Sequence, residues 1–189
     1  TQHVDLRKVG SGNVGTTNTY RNLGYKAGIL TLLGDVFKVV LSVLFVWALY
    51  HGDASINVKV LEYYAALGTI LGHNFPIFMK FHGGKGIACT GGLMVAVCPI
   101  CVPICLAIFV VTVAITKYVS LGSILVCISF FIQMLVYGQL GWLGLSGADL
   151  IEVYILAAIV MVLGIVRHRA NIGRLMDGTE SKFSLKQNK

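Results

Sequence analysis

The chain has 189 residues, with 15 Lys and Arg against 8 Asp and Glu and a formal net charge of +7, yet only 12% of its residues are charged and 56% are hydrophobic. A soluble domain carries about 25% charged residues, and a mean hydropathy of +0.80 is too high for a surface that polar groups must keep solvated. Disordered, collagen-like and soluble globular chains are thereby excluded, and an all-α polytopic transmembrane helix bundle is expected, folded as one domain over residues 1–189.

The first 15 residues are polar and read as no cleavable leader, and the lack of an initiating Met points to a missing N-terminal piece. They run into Gly10-Ser11-Gly12-Asn13-Val14-Gly15-Thr16-Thr17-Asn18-Thr19-Tyr20-Arg21. Glycines at this spacing permit positive φ and close approach, so successive backbone N–H groups can converge on an anion, with Ser and Thr hydroxyls as further donors. Arg21 adds a bidentate fork suited to phosphate. The plainer alternative is a glycine-rich turn whose Asn and Ser cap a helix.

Apolar runs then predict helices over 27–50, 55–72, 86–97, 100–116, 119–137 and 150–166, about six membrane segments. Residues 86–116 and 118–148 are two stretches of 31 without Asp, Glu, Lys, Arg or His, where one span needs about 20. The run 86–97 is too short to cross alone, and Pro99 and Pro103 break the start of the next run, so these two read as a half-depth hairpin surrounded by protein. Asp35 and Lys38 lie three apart inside the first run and are expected to neutralise each other, as are Lys59 and Glu62 in the second. Cys89, Cys98, Cys101, Cys105 and Cys127 sit in apolar surroundings and read as core packing, not as a metal or disulfide framework.

With the N-terminus of this chain on the cytoplasmic side, 13 of the 15 basic residues fall on inner loops and ends, and the opposite turns near 51–58, 97–100 and 138–149 carry no Lys or Arg. That asymmetry sets orientation. Two further polar stretches then share the inner face. Gly72-His73-Asn74-Phe75-Pro76 leads to Gly83-Gly84-Lys85-Gly86, which opens an apolar run and offers free N–H groups, a helix dipole and an ammonium to a phosphate. It is not a nucleotide-binding Walker loop, because Met79 stands where the first glycine is needed and Gly86 comes directly after the lysine. Phe75, Phe78 and Phe81 read as aromatic anchors at the water boundary.

The last stretch is Arg167-His168-Arg169-Ala170-Asn171-Ile172-Gly173-Arg174, in which His168, Asn171 and Arg174 share a face if helical. A basic anchor to anionic lipid is the alternative. Three anion-friendly stretches on one membrane face describe a pocket for phosphates beside the acyl-chain phase, formed by residues 1–26, 73–86 and 167–189. Tyr118, Ser120 and Ser123, next to Lys117, either line that pocket or cap their helix.

Several kinds of catalysis are missing. No Gly-x-Ser-x-Gly is present, no His is followed five residues later by Asp, and no His-Glu-x-x-His occurs. The inner-side acids near the polar stretches are Asp5, Asp177 and Glu180. Catalysis must rest on positioning and on stabilising phosphate charge. No metal and no cofactor are expected.

The order and spacing of these segments resemble the PlsY family of bacterial membrane-bound acyl-phosphate:glycerol-3-phosphate acyltransferases. The match is carried by Val4 to Asn18 and on to Arg21, by Gly72 to Pro76 with Gly83 to Gly86, and by Arg167 to Ile172, with Lys117 to Ser123 also similar. The resemblance implies transfer of a fatty acyl group from acyl phosphate to the 1-position of glycerol 3-phosphate, giving lysophosphatidic acid and phosphate, in the bacterial inner membrane with the site facing the cytoplasm. It implies that Ser11, Gly12, Asn13, Gly15 and Thr17 surround the acyl-phosphate head, that Arg21 and Lys85 hold glycerol phosphate, and that His168 and Asn171 orient the acceptor. Gly83, Gly84 and Gly86 would bind phosphate, with Asn18, His73 and Ser120 in support. In this family the acceptor's own phosphate has been proposed to take the hydroxyl proton. The resemblance also implies one more helix ahead of residue 1, seven in all, and it departs at Ile87-Ala88-Cys89-Thr90, where Val-Ala-Thr is common.

Expected partners are acyl phosphate, glycerol 3-phosphate and membrane lipid, with no nucleic acid and no nucleotide. The competing class is a transporter or channel for a phosphorylated solute. That class calls for polar residues continuing toward the outer face and for inverted-repeat symmetry, and the sequence has neither.

Overall fold

A computed structural model describes residues 4–184, and all regular structure among them is helical. Of the basic residues assigned to the inner face, Lys186 and Lys189 lie outside the described residues. Among the described residues seven α-helices run in chain order, with short 3-10 turns at Ile77–Met79 and Pro99–Cys101: α1 (Thr16–Tyr50), α2 (Val58–Asn74), α3 (Ile87–Val97), α4 (Val102–Thr116), α5 (Val119–Gln139), α6 (Gly147–Arg167) and α7 (Arg169–Met176). Four helical stretches among the described residues are long and apolar enough to cross a membrane, namely Thr16–Tyr50, Pro99–Thr116, Val119–Gln139 and Gly147–Arg167. At about 1.5 Å per residue, the 21 residues of α5 or α6 match a hydrocarbon core of about 30 Å.

Two elements depart from the expected runs. Helix starts at Thr16, ahead of the apolar run, and breaks at Gly24, whose φ of 87° and ψ of 175° belong to a region open essentially to glycine. The break separates a short polar helix carrying Thr17, Asn18 and Arg21 from the long apolar one. At the other end α6 is interrupted at His168, whose φ of −97° and ψ of 5° are not helical, and α7 follows, so the stretch around Asn171 is helical. The short α3 packs on α1 and α2, while α4 packs on α5. The two therefore do not form a hairpin packed on itself, and Pro99 marks a hand-over from one half of the bundle to the other.

Core stripes explain the packing. On α5 the buried residues Ser120, Ser123, Cys127, Phe130, Met134 and Tyr137 alternate steps of three and four, and on α2 Val60, Tyr63, Leu67, Ile70 and Asn74 do the same. Both stripes are apolar in mid-membrane and turn polar at the end nearest the loop 75–86 and α7. On α6 the stripe Val153, Leu156, Val160 and Gly164 leads to buried His168 in the same way. Opposite faces carry exposed Leu41, Phe45, Val110, Ile115 and Ile132, as lipid contact requires. All five cysteines are buried and free, Cys98 and Cys101 having their sulfurs 3.2 Å apart.

The charges inside the bundle are arranged differently from expectation in one place. Lys38 Nζ donates to Asp35 Oδ1 at 2.7 Å, the expected pair, and also to His73 Nδ1 at 2.7 Å. Lys59 does not pair with Glu62. Its ammonium instead donates to the backbone carbonyl of Leu143, so it caps the turn before α6.

Candidate active site

The glycine-rich N-terminal segment is organised by one amide. Buried Asn18 accepts from the Ser11 N–H (3.0 Å) and from Asn22 Nδ2 (3.0 Å) through Oδ1, and donates through Nδ2 to the carbonyls of Leu6 and Val9, both at 3.1 Å. The Gly12 N–H donates to Val9 O at 3.1 Å. Two of the backbone donors expected to cradle an anion are thus used in closing the loop itself, and Asn18 sets its shape. Ser11 and Gly12 are exposed, Asn13 and Thr17 half-buried and Gly15 buried. The hydroxyl of Thr16 beside them is buried without a partner among the described residues.

The segment between α2 and α3 is folded tightly onto the end of α2. The N–H groups of Gly83 and Gly84 donate to Asn74 O (3.3 Å) and His73 O (3.1 Å). A Cβ on Gly84 would stand 2.0 Å from His73 Nε2, and one on Gly83 would stand 2.0 Å from His73 O, so both glycines are demanded by contact with α2. Their carbonyls point the other way, to Arg167. That guanidinium donates to Gly83 O (2.9 Å) and to Gly84 O (2.9 and 3.1 Å), and stacks over Phe75 at 5.2 Å. Arg167, read in the sequence as part of an anion-friendly stretch with a lipid anchor as the alternative, is the clamp that fixes the loop carrying Lys85.

Lys85 reaches across to α7, where its ammonium donates to Asn171 Oδ1. Burial, opposed in part by Glu180 and reinforced by Arg174, Arg167 and Arg21, lowers Lys85 to about 8. His168 is buried, and its Nδ1 lies 2.7 Å from Gly164 O, a pure acceptor, so Nδ1 carries the proton and Nε2 is left as an acceptor. Burial and then the charge of Lys85 lower it to about 4, which keeps the ring neutral near pH 7. A cation and a neutral imidazole acceptor therefore sit side by side.

The C-terminal strap closes over this end. Glu180 accepts from Ser120 Oγ (2.8 Å), Asn171 Nδ2 (2.7 Å) and Arg174 Nε (2.7 Å). Arg21 donates to the carbonyls of Ser181 (3.2 Å) and Lys182 (3.4 Å), and the Phe183 ring lies 5.6 Å from that of Tyr20. The structure thus joins Arg21, Lys85, His168, Asn171 and Ser120, together with Arg174, whose spacing put it on the face of His168 and Asn171. It gives specific partners to Arg167 and Glu180, which the sequence places in the C-terminal polar stretch without a role of their own. Asn74 is a further addition, fully buried with neither amide atom partnered among the described residues, its Oδ1 2.8 Å from where a Cβ on Gly86 would be. The signal for it was its place at the polar end of the α2 stripe.

Beside this cluster a cavity of about 350 Å³ is lined by Val14, Lys38, His73, Gly83 and Gly84, between the glycine-rich segment and the α2–α3 loop. Asp35, His73 and Cys89 have ligand atoms within 4.8 Å of one another. Lys38 already supplies a positive charge to Asp35 and a donor to His73, so this group needs no ion for neutrality.

A family model described as glycerol-3-phosphate acyltransferase matches residues 1–178. The chain is 43% identical over 186 residues to the glycerol-3-phosphate acyltransferase of Clostridioides difficile strain 630, covering 97% of this chain and 84% of that one. It is 39% identical over 180 residues to the enzyme of the same name from Trichlorobacter lovleyi, with 95% and 84% covered. Among solved structures, PlsY (YgiH), an integral membrane glycerol 3-phosphate acyltransferase in its glycerol 3-phosphate form, matches with a TM-score of 0.82 at 35% identity, covering 96% of this chain and 84% of that one. The lysophosphatidic acid form of PlsY matches with a TM-score of 0.77 at 32% identity, with 94% and 83% covered.

Proposed function

The chain belongs to the glycerol-3-phosphate acyltransferase family, and we propose that it transfers a fatty acyl group from acyl phosphate to the 1-position of sn-glycerol 3-phosphate, as one integral membrane domain of the bacterial inner membrane. The reaction takes place at the polar end of the bundle, on the cytoplasmic side. The observation that carries this reading is the Lys85–Asn171 contact next to neutral His168. It sets an anion-binding charge beside an atom able to accept a hydrogen bond from an alcohol. The excess of basic residues on the loops of this end supports the orientation.

Lys85, Arg21 and Arg174 hold the phosphate of glycerol 3-phosphate, and His168 Nε2 accepts from its 1-hydroxyl and aims the oxygen at the acyl carbon. A bond forms between that oxygen and the acyl carbon, and the bond from the acyl carbon to the phosphate oxygen breaks. The electron pair leaves with inorganic phosphate, and the hydroxyl proton passes to the acceptor's own phosphate. Ser11, Gly12, Asn13, Gly15 and Thr17 receive the acyl-phosphate head, next to the cavity between their segment and the α2–α3 loop. Asn74, buried and without a partner among the described residues, supplies polar contacts that Gly86 leaves open at the start of α3. Gly83 and Gly84 shape the loop, since their N–H groups serve carbonyls of α2. No enzyme nucleophile is needed, because acyl phosphate is already activated.

The test is phosphate release from palmitoyl phosphate in detergent or lipid, with and without glycerol 3-phosphate, together with the appearance of lysophosphatidic acid. Release that depends on the acceptor is expected, and palmitoyl-CoA should not replace the donor. Equal turnover with palmitoyl-CoA would overturn the choice of donor. No release by the folded protein would overturn the reaction and turn attention to transport.

A further inference from the structure

Glu180 is an anion in a place built to bind anions. Its carboxylate is only 7% exposed and is surrounded by Arg174, Ser120 and Asn171, with Lys85 beyond the amide. A carboxylate there either stands where a substrate phosphate must go, or belongs to the machinery that receives it. The geometry separates these possibilities. Among the described residues, Glu180 accepts from Ser120, Asn171 and Arg174, and the Lys85 ammonium donates to the other end of the Asn171 amide. An ammonium has three donors, so binding an anion at Lys85 does not require Glu180 to leave.

The Asn171 amide is what links the two charges. Lys85 can only donate and Glu180 can only accept, so one orientation of the amide satisfies both: Oδ1 toward Lys85 and Nδ2 toward Glu180. Turned over, the amide would set its NH₂ against an ammonium and its oxygen against a carboxylate. The strap that carries Glu180 is tied down on both sides. The N–H groups of Thr179 and Glu180 donate to Arg174 O at 2.8 and 3.1 Å, and the Phe183 N–H donates to Lys117 O at 2.6 Å.

We propose that Glu180 is a positioning residue of the acyl-transfer site, locking the Asn171 amide so that its oxygen holds the Lys85 ammonium in place for the phosphate of the acceptor. This rests on the function proposed above. Glu180 acts through Asn171 and supports the positive charge of Lys85, which faces Glu180, Arg174, Arg167, Arg21 and His168.

The experiment compares wild type, Glu180→Ala, Glu180→Gln, Asn171→Ala and the double variant Glu180→Ala/Asn171→Ala in the full chain. KM for glycerol 3-phosphate, kcat and the pH profile are read, with thermal unfolding of each variant in detergent. Glu180→Ala is expected to lower kcat/KM for glycerol 3-phosphate about ten- to hundredfold, the worth of a hydrogen bond to a charged group. The alkaline fall of kcat/KM should move to lower pH in both Glu180 variants. In the Asn171→Ala background the Glu180→Ala loss should shrink to less than about threefold, because paired residues are not additive. Wild-type kinetics in Glu180→Ala would overturn the proposal, as would an unchanged loss in the Asn171→Ala background. A gain of activity in Glu180→Gln would do so too, and would mark the carboxylate as an occupant that substrate displaces. An inactive wild type would instead count against the proposed reaction. Should Glu180→Ala fail to unfold cooperatively, the near-isosteric Glu180→Gln carries the comparison.

Discussion

Arg167 and Gly84 are joined by two hydrogen bonds, from Nη2 at 2.9 Å and from Nε at 3.1 Å, both to the same carbonyl oxygen. The next residue after Gly84 is Lys85, so the end of α6 fixes the cation that reaches to α7. A residue 83 positions from Gly84 in the chain thereby sets the place of the ammonium that follows it.

Arg167→Ala should accordingly lower kcat/KM for glycerol 3-phosphate by more than about tenfold, since several hydrogen bonds from a charged group are lost together. Arg167→Lys should recover little, because a lysine cannot span the carbonyls of Gly83 and Gly84 with a planar fork. Steady-state kinetics with thermal unfolding alongside checks both. Equal activity in Arg167→Ala would show that the loop holds its shape without the clamp.

Gly84→Ala tests the other face of the same loop. The added methyl would lie 2.0 Å from His73 Nε2, a contact that the ring and the loop can relieve only by moving. Activity should fall by about an order of magnitude or more, and His73→Ala should restore part of it by opening the space. A Gly84→Ala enzyme with normal kinetics would mean that the loop can lift from α2 at no cost to the reaction.

Much of this arrangement is legible in the sequence, for a physical reason. A membrane span must be apolar along its length, so the runs 119–137 and 150–166 anticipate α5 and α6 to within a few residues at each end. The half-helix from Thr16 to Gly24 and α7 are polar and short, and carry no such signature. Lys85 and Asn171 each stand out by residue type, but their contact spans 86 positions, and no local spacing reports it. Arg167 and Glu180 lie within the C-terminal stretch that the sequence assigns to the pocket, but their contacts with Gly84 and Ser120 span 83 and 60 positions and leave no mark on local spacing.

The half-buried charges of α1 make a separate prediction about stability. Lys38 donates to both Asp35 and His73, and Asp35 Oδ1 lies 3.3 Å from His73 Nδ1. Removing one member leaves the other charge unpaired in a poor solvent for it. Lys38→Met should therefore lower the Tm in detergent more than Lys38→Met/Asp35→Asn does. If the double variant is as unstable as the sum of the single ones, the two residues do not act as a pair.

The state of Lys85 makes the reaction sensitive to alkali. Burial lowers its ammonium to about 8, so the charge is present below that pH and is lost as pH rises through it. The value of kcat/KM for glycerol 3-phosphate should fall above about pH 8, well before an exposed lysine would lose its proton near 10.4. Lys85→Arg, which keeps its charge at every accessible pH, should abolish this alkaline fall even if its activity is lower. His168 is lowered to about 4 and so is neutral across this range, which leaves the acceptor's phosphate, with a second ionisation near 6, as the group that shapes the acid side. His168→Gln should thus reduce kcat without moving either limb. A profile flat to pH 10 would place the phosphate on another cation, and a limb displaced by His168→Gln would make that ring a proton carrier.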